Sequence, residues 1–171
     1  RWGLVPSWAK DVAIGARMIN ARSETVFDKP SFRAAVRRRR CLVPADGFYE
    51  WGGSKGQRQP YYISMADGRP FAMAAIWERW QNELGDEVES CALLTTSANS
   101  LIEKFHHRMP VILEQSKWHL WLGPDCEDRG KLEKLMVQYP SRNMMVRPVG
   151  HLVDNPRNEG EQLIIPLAEE A

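Results

Sequence analysis

Five short strand-like runs in the middle of the sequence constrain the fold more than any other feature. Turn-rich segments at residues 52–56, 66–69 and 82–86 separate these runs, and the last two resemble hairpin loops. The strand-like runs cover residues 41–44, 47–51, 61–64, 71–80 and 88–96. The sequence therefore predicts an antiparallel meander at the centre of the molecule.

Short helical patterns and single strands flank this meander. Helices are predicted at residues 30–36, 98–105, 115–122 and 128–138. Further strands are predicted at residues 1–5, 111–113, 143–149 and 163–165. The first helix has Pro30 near its first turn, where the missing N–H does no harm.

The overall composition indicates one globular domain. The chain has 171 residues, 43% hydrophobic and 26% charged, and no repeat or low-complexity tract divides it. We therefore expect a single domain over residues 1–171. No apolar run approaches the roughly 20 residues that span a bilayer, and no signal-peptide pattern leads the sequence. We expect no membrane association and a cytoplasmic location.

The three cysteines exclude two classes of small protein. Cys41, Cys91 and Cys126 are an odd number and lack CxxC spacing, which argues against a disulfide framework and against a structural zinc site. Cys41 and Cys91 lie in apolar runs, so we expect both to be buried rather than nucleophilic.

Positive charge is concentrated at one end of the sequence. Residues 1–40 hold ten Lys or Arg against three Asp or Glu, although the whole chain has a net charge of only +1. Such a basic region fits an anionic partner such as nucleic acid. Its densest part is the arginine run at residues 37–40, which we interpret as a solvated helix end that complements the helix dipole.

Glu50 is an acid inside an apolar, aromatic run. Counting from the turn at Asp46 and Gly47, Phe48 and Glu50 share one face of the strand. If that face is covered, desolvation raises the pKa of Glu50 toward the range useful for general acid or base catalysis. The alternative is an edge strand with Glu50 in water.

Three short polar segments of the sequence carry candidate site residues. Two other kinds of site, a metal site and a hydrolase triad, also remain possible. A metal site built from Glu50, His106 and Asp46 lacks a recognised ligand spacing. A hydrolase triad with Ser97 or Ser23 as nucleophile lacks the GxSxG elbow. The three polar segments contain Asn20 with Arg22, Glu50 alone, and His106 with Arg108.

Several long motifs, taken in order, resemble the SOS-response-associated peptidase (SRAP) family. The motifs are RWGLVPSW at residues 1–8, INARSE at 19–24, CLVPADGFYEW at 41–51, TTSAN at 95–99, HHRMP at 106–110 and DNPRNEG at 154–160. They cover nearly the whole chain. The resemblance implies a strongly bent, mostly antiparallel and barrel-like sheet with short helices outside, and the predicted meander agrees with this α+β fold.

The resemblance also implies an activity. Members of the family bind single-stranded, gapped or junction DNA that carries an abasic site. An N-terminal cysteine, exposed when the leading Met is removed, closes a thiazolidine ring with the abasic aldehyde and so crosslinks the protein to DNA. The resemblance implies no cofactor and no metal. We expect a monomer, associated with the nucleoid if the source is bacterial.

Seven residues of this sequence match site residues of the family. The resemblance implies catalytic roles for Asn20, which would orient the cysteine, and for Glu50 and His106, which would transfer protons. It implies DNA contacts for the others, namely Arg22 and Arg108 with phosphates, Trp8 by stacking or wedging, and Thr95 by a polar contact.

The sequence departs from the family pattern at its start. It begins at Arg1 and has no N-terminal cysteine. We expect an N-terminal segment that carries this cysteine to be missing, so that these residues alone form no stable crosslink. The alternatives are a module that binds single-stranded or junction DNA without covalent chemistry and, with less support, a protease of other proteins.

Overall fold

The computed structural model describes residues 1–54, 56–123, 126 and 128–168. Within this part the strands are β1 (Asn20–Arg22), β2 (Arg40–Ala45), β3 (Gly47–Gly52), β4 (Gln59–Met65), β5 (Phe71–Gln81), β6 (Glu87–Ser97), β7 (Arg108–Pro110), β8 (Ile112–Leu113) and β9 (Met144–Pro148). The α-helices are α1 (Arg33–Arg38), α2 (Trp118–Leu122) and α3 (Arg129–Glu133). Single 3-10 turns are Val12–Arg17, Ile102–Lys104, Gln115–Lys117, Ser141–Asn143, His151–Asp154 and Glu161–Ile164.

The larger sheet curls into a half-barrel around the β5–β6 hairpin. Its strand order is β1-β6-β5-β2, with β1 parallel to β6 and the other pairs antiparallel. Beyond the pair Ala75–Leu93 the two hairpin strands separate, and residues 108–113 lie between them. Val111 bridges the gap, since its N–H donates to the Leu94 carbonyl and its carbonyl accepts from the Ala74 N–H, both at 2.8 Å.

The smaller sheet is antiparallel and has the order β3-β4-β9. Its residues Ile63 and Met65 pack with Phe71 and Met73 of the larger sheet in a shared apolar cluster. A second cluster lies between the larger sheet and the three α-helices, with the fully buried Trp121 among its members. The predicted α+β fold with a bent, mostly antiparallel sheet is confirmed.

Several local predictions are wrong. The segment 82–86 is a hairpin loop, as predicted, but 66–69 is not, because β4 and β5 belong to different sheets. Period-two patterning shows that a run is extended but not which run it pairs with. The strand predicted at 163–165 overlaps the 3-10 turn Glu161–Ile164. The strand predicted at 1–5 is reduced to a single bridge from Trp2 to Cys91, since Gly3 at φ 111° interrupts the extended backbone.

Arg40 corrects the interpretation of the arginine run as a solvated helix end. Arg37 and Arg38 are exposed, whereas Arg40 is buried. Its guanidinium donates to the carbonyls of Val36 at 2.9 Å and Trp121 at 2.6 Å, and also to those of Arg37 and Gly123. These carbonyls lie at the ends of α1 and α2, where helices leave acceptors without an intrahelical partner. Arg40 therefore joins two helix ends to β2.

Among the described residues, no helix has the length and apolar character needed to cross a membrane.

Candidate functional site

Glu50 lies on β3, the edge strand of the smaller sheet, directly opposite Tyr61 of β4. Only 22% of its side chain is exposed. Burial raises the pKa of the Glu50 carboxyl, and the nearby His106 offsets part of that rise. The edge-strand interpretation is thus right about the strand, but the side chain does not stand freely in water.

The imidazole of His106 lies beside this carboxyl, with Nδ1 3.8 Å from Glu50 Oε1. Phe105 explains this position, because its ring packs on that of Tyr61 with centroids 4.6 Å apart. Gly52 leaves room for the packing. A Cβ added at Gly52 would lie 2.9 Å from the Phe105 ring and 3.0 Å from the Tyr61 ring. Glycine at the end of β3 therefore allows the Phe105 ring to pack on Tyr61, and this packing places the next residue, His106, beside Glu50.

The main chain of Arg108 orients the His106 ring. The Arg108 N–H lies 3.2 Å from His106 Nδ1, and the Arg108 carbonyl lies 3.1 Å from the same nitrogen. The ring accepts from the N–H when Nδ1 is unprotonated and donates to the carbonyl when Nδ1 carries a proton. Both contacts use Nδ1, so Nε2 is the nitrogen suited to exchange a proton with a substrate.

The Arg108 side chain forms a bidentate ion pair with Glu24. Nη1 donates to Oε1 at 2.6 Å, and Nη2 donates to Oε2 at 2.8 Å and to the Thr95 carbonyl at 2.6 Å. The hydrogen bond from Arg108 lowers the pKa of the Glu24 carboxyl. The phosphate contact assigned to Arg108 stays a prediction, and a phosphate there would meet a guanidinium already bonded to a carboxylate.

Arg22 and Thr95 lie next to this ion pair on neighbouring strands. Arg22 is paired with Thr95 in the β1–β6 ladder, and Thr95 lies opposite Pro110 of β7. Asn20 and Arg22 are exposed while Ala21 between them is 1% exposed, so the two polar side chains share one face of β1. The strands therefore bring Arg22, Thr95 and Arg108 together, with Asn20 two residues along β1.

Trp8 lies in a turn near the start of the chain and is 58% exposed. Exposure of a large aromatic ring fits stacking on a base. The roles assigned to Asn20, Arg22, Thr95 and Trp8 all stay predictions.

Two residues at the site were not identified from the sequence. Glu24 belongs to the INARSE motif, but an acid in a basic region gives no sign that it pairs with an arginine 84 residues later. Phe105 ends the segment before HHRMP and has the pattern of an ordinary core residue. Both act through partners distant in sequence, so only the fold reveals them.

Two of the alternative sites find little support. Ser23 is buried, and the Ser97 hydroxyl accepts a hydrogen bond from Gln138 at 2.9 Å. Burial, with a smaller contribution from Cys91, raises the pKa of the Cys41 thiol to about 11, which disfavours the nucleophilic thiolate. In the described part of the chain, no group of three or more His, Cys, Asp or Glu side chains is placed to hold a metal ion.

The site combines side chains that can transfer protons with a guanidinium that can bind an anion. Glu50, with its raised pKa, can hold a proton at higher pH than an ordinary glutamate, and the imidazole of His106 has nitrogens that can accept or donate a proton. Arg22 adds an exposed guanidinium on β1, where it is paired with Thr95. A site of this kind can bind an anionic group and exchange protons with a bound molecule.

The family model described as SOS response associated peptidase (SRAP) matches residues 1–156. Abasic site processing protein YoqW of Bacillus subtilis is 41% identical over 165 residues, which are 96% of this chain and 74% of that protein. Abasic site processing protein HMCES of Rattus norvegicus is 33% identical over 197 residues, covering 97% of this chain and 55% of that protein.

A crystal structure of a protein from Bacteroides thetaiotaomicron has the same fold. It superposes with a TM-score of 0.90 at 31% sequence identity, over 98% of this chain and 75% of that one. The family match, the relatives and the shared architecture agree over nearly all of the sequence. The chain therefore belongs to the SOS response associated peptidase (SRAP) family.

Proposed function

We propose that this protein processes abasic sites in DNA and that the complete protein forms a covalent thiazolidine crosslink with them. The observation that carries the proposal is the half-buried Glu50 carboxyl beside the His106 imidazole, with Nδ1 and Oε1 3.8 Å apart. Relatives that are 41% and 33% identical to this chain are named abasic site processing proteins. The proposal puts a cysteine at the N-terminus of the complete protein, exposed when the protein removes its own leading Met.

The chemistry requires an amine, a thiol and groups that transfer protons. The ring-opened abasic sugar has an aldehyde, which the α-amine of the terminal cysteine attacks to form a carbinolamine. Loss of water gives a Schiff base. The thiol sulfur then adds to the imine carbon, its proton passes to the nitrogen, and a five-membered thiazolidine closes. An internal cysteine cannot follow this route because its nitrogen is an amide.

The site residues have matching roles in this proposal. Asn20 orients the terminal cysteine, and Glu50 protonates the departing hydroxyl of the carbinolamine. His106 opens the sugar ring by exchanging a proton through Nε2. The raised pKa of Glu50 supports its role, since a carboxylic acid must hold a proton near neutral pH to donate it.

DNA binding depends on the basic end of the chain. Arg22 is exposed on β1 and is suited to bidentate contact with a phosphate. Residues 1–40 carry ten Lys or Arg, and Trp8 presents an exposed ring for stacking. The preferred substrate is single-stranded, gapped or junction DNA, and its affinity falls as salt concentration rises.

A denaturing-gel assay with single-stranded DNA containing one abasic site tests the proposal. It compares these 171 residues, the protein extended to an N-terminal cysteine, and the extended form carrying Glu50→Gln or His106→Ala. We expect a heat-stable shifted band from the extended protein, and slower formation or reversal of that band in the two variants. DNA with no abasic site is the control and should give no band.

A non-covalent DNA-binding module is the second candidate, favoured by the exposed Arg22 and Trp8. Under that function the extended protein binds the DNA in a native gel but gives no heat-stable band. This result would exclude the covalent mechanism.

A further inference from the structure

We propose that Glu24 is a positioning residue, whose carboxylate holds Arg108 so that the main chain of Arg108 sets the His106 imidazole beside Glu50. The inference rests on the proposed function, in which His106 transfers protons. It adds an acid whose side-chain hydrogen bonds go to Arg108.

The first step is the dependence of Arg108 on Glu24. The Arg108 side chain is 15% exposed, whereas that of Glu24 is 50% exposed. Arg108 Nε is buried and has no hydrogen-bond partner among the described residues. A guanidinium this deeply placed needs a nearby negative charge, because burial removes most of its hydration. Both carboxylate oxygens of Glu24 supply that charge, at 2.6 and 2.8 Å.

The second step is the fixing of β7. Arg108 is the first residue of β7, and its Nη2 also donates to the Thr95 carbonyl of β6. The same carbonyl accepts the N–H of Ser23 at 2.9 Å, one residue before Glu24. The Arg108 guanidinium and the Thr95 carbonyl therefore join the turn after β1, the strand β6 and the start of β7.

The third step is that the position of Arg108 determines the position of the His106 imidazole. His106 precedes β7 by two residues, and its ring is held through Nδ1 by the main chain of Arg108. A displacement of Arg108 therefore moves the ring relative to the Glu50 carboxyl. Misplacement of a catalytic group by about 1 Å can cost on the order of a hundredfold in rate.

A competing interpretation is that Glu24 occupies the place of a DNA phosphate on Arg108 and leaves when DNA binds. The 2.6 Å hydrogen bond from Arg108 Nη2 to the Thr95 carbonyl favours positioning, since it holds the guanidinium against β6, whereas Arg22 beside it is exposed. The two interpretations predict opposite effects of neutralising Glu24. Positioning predicts unchanged DNA affinity and slower chemistry, while competition predicts tighter binding.

The test uses the protein extended to its N-terminal cysteine, with Glu24→Gln and Glu24→Asp. Glutamine keeps the shape but loses the charge and one acceptor, and aspartate keeps the charge but shortens the reach. Glu103→Gln is the matched control, because it removes an exposed acid three residues before His106 for which no ion pair is recorded in the described chain. The measurements are crosslinking rate at saturating abasic DNA, affinity for intact single-stranded DNA at several salt concentrations, and pH titration of the His106 imidazole by NMR.

We expect Glu24→Gln to slow crosslinking about tenfold or more. Its affinity for intact DNA should stay within about threefold of the parent value, and its salt dependence should not change. The His106 resonances should shift and titrate at a different pH. Glu24→Asp should lie between parent and Glu24→Gln, and Glu103→Gln should match the parent in all three measurements.

Unchanged His106 resonances together with an unchanged rate in Glu24→Gln would overturn the inference. Tighter binding of intact DNA with a steeper salt dependence would overturn it in favour of competition. If the parent protein never forms a crosslink, the proposed function fails, but the NMR comparison still tests positioning because it needs no reaction.

Discussion

Arg40 and Arg108 both belong to strands of the larger sheet, and they use their guanidinium groups differently. Arg40, on β2, donates to main-chain carbonyls at the ends of α1 and α2. Arg108, on β7, donates to the carboxylate of Glu24 and to one carbonyl. Carbonyl partners belong to the backbone and never change charge, whereas a half-exposed carboxylate can be protonated or replaced.

The region around Arg40 stabilises the fold, whereas the region around Arg108 holds groups that can change their protonation or their partners. At the Arg40 end, helices cover a buried apolar cluster. The Arg108 end combines ion pairs, a carboxyl of raised pKa and exposed polar side chains. Substitutions at the first end should therefore affect folding, and those at the second should affect chemistry and pH response.

The largest effect is expected from Arg40→Met. This change leaves several buried carbonyls without a donor, so we expect a loss of about 3 kcal/mol or more in the free energy of unfolding. Urea denaturation at pH 7 measures it. Arg38→Met, exposed at the last residue of α1, is the control and should change the free energy by less than about 0.5 kcal/mol. If both substitutions lowered the free energy of unfolding equally, the distinction between the buried and the solvated arginines of this run would be contradicted.

Arg108→Met should cost less, about 1 to 2 kcal/mol, because its Glu24 partner remains half in water after the change. The same denaturation measurement applies. A loss as large as that of Arg40→Met would show that the candidate site is as important to folding as the helix ends, contrary to the comparison.

Glu50→Gln should stabilise the protein near neutral pH, by on the order of 1 kcal/mol. The folded-state pKa of Glu50 is raised by burial, so its contribution to stability is complete below its unfolded pKa and is lost as pH rises through the folded value. The difference between variant and parent should therefore shrink as the pH falls through the raised folded value, and should be nearly gone below the unfolded value of 4.5. Thermal unfolding between pH 4 and 8 checks this, and a constant difference would contradict it.

Glu24→Gln should show the opposite pH dependence with the smallest effect. Arg108 lowers the folded-state pKa of Glu24, so this acid stabilises the protein above its unfolded pKa, and the stabilisation is lost as pH falls through the folded value. We expect the variant to be less stable by about 0.5 kcal/mol at pH 7. The difference should vanish in acid, which the same pH series measures. A difference that grew on acidification would argue against the ion pair.

The sequence predicts strands better than it predicts their partners. The predicted runs for β2 to β6 lie within or close to the observed strands, because alternation and turn residues are local signals. The division into two sheets depends on contacts that no local pattern encodes. The 66–69 loop illustrates this, since a Gly-containing turn serves equally well between two strands of one sheet or at a corner between two sheets.

The candidate site was predictable to a similar extent. Asn20, Glu50 and His106 stand out as polar residues in distinctive motifs, and the structure brings Glu50 and His106 together. Glu24 and the buried Arg40 do not stand out, because their environments are created by residues 84 and 81 positions away. Burial of a charge depends on tertiary packing that composition and periodicity do not reveal.

The insertion of residues 108–113 between β5 and β6 also has a consequence for the order of folding. The β5–β6 hairpin is local in sequence, whereas Val111 must reach Leu94 and Ala74 from a distant segment. Local contacts form faster than distant ones. A chain that has closed the hairpin without this insertion has two open strand edges and neither His106 nor Arg108 in place. Pulse-labelled hydrogen exchange should then find the Val111 amide protected later than those of the hairpin, which makes assembly of the candidate site a late event in folding.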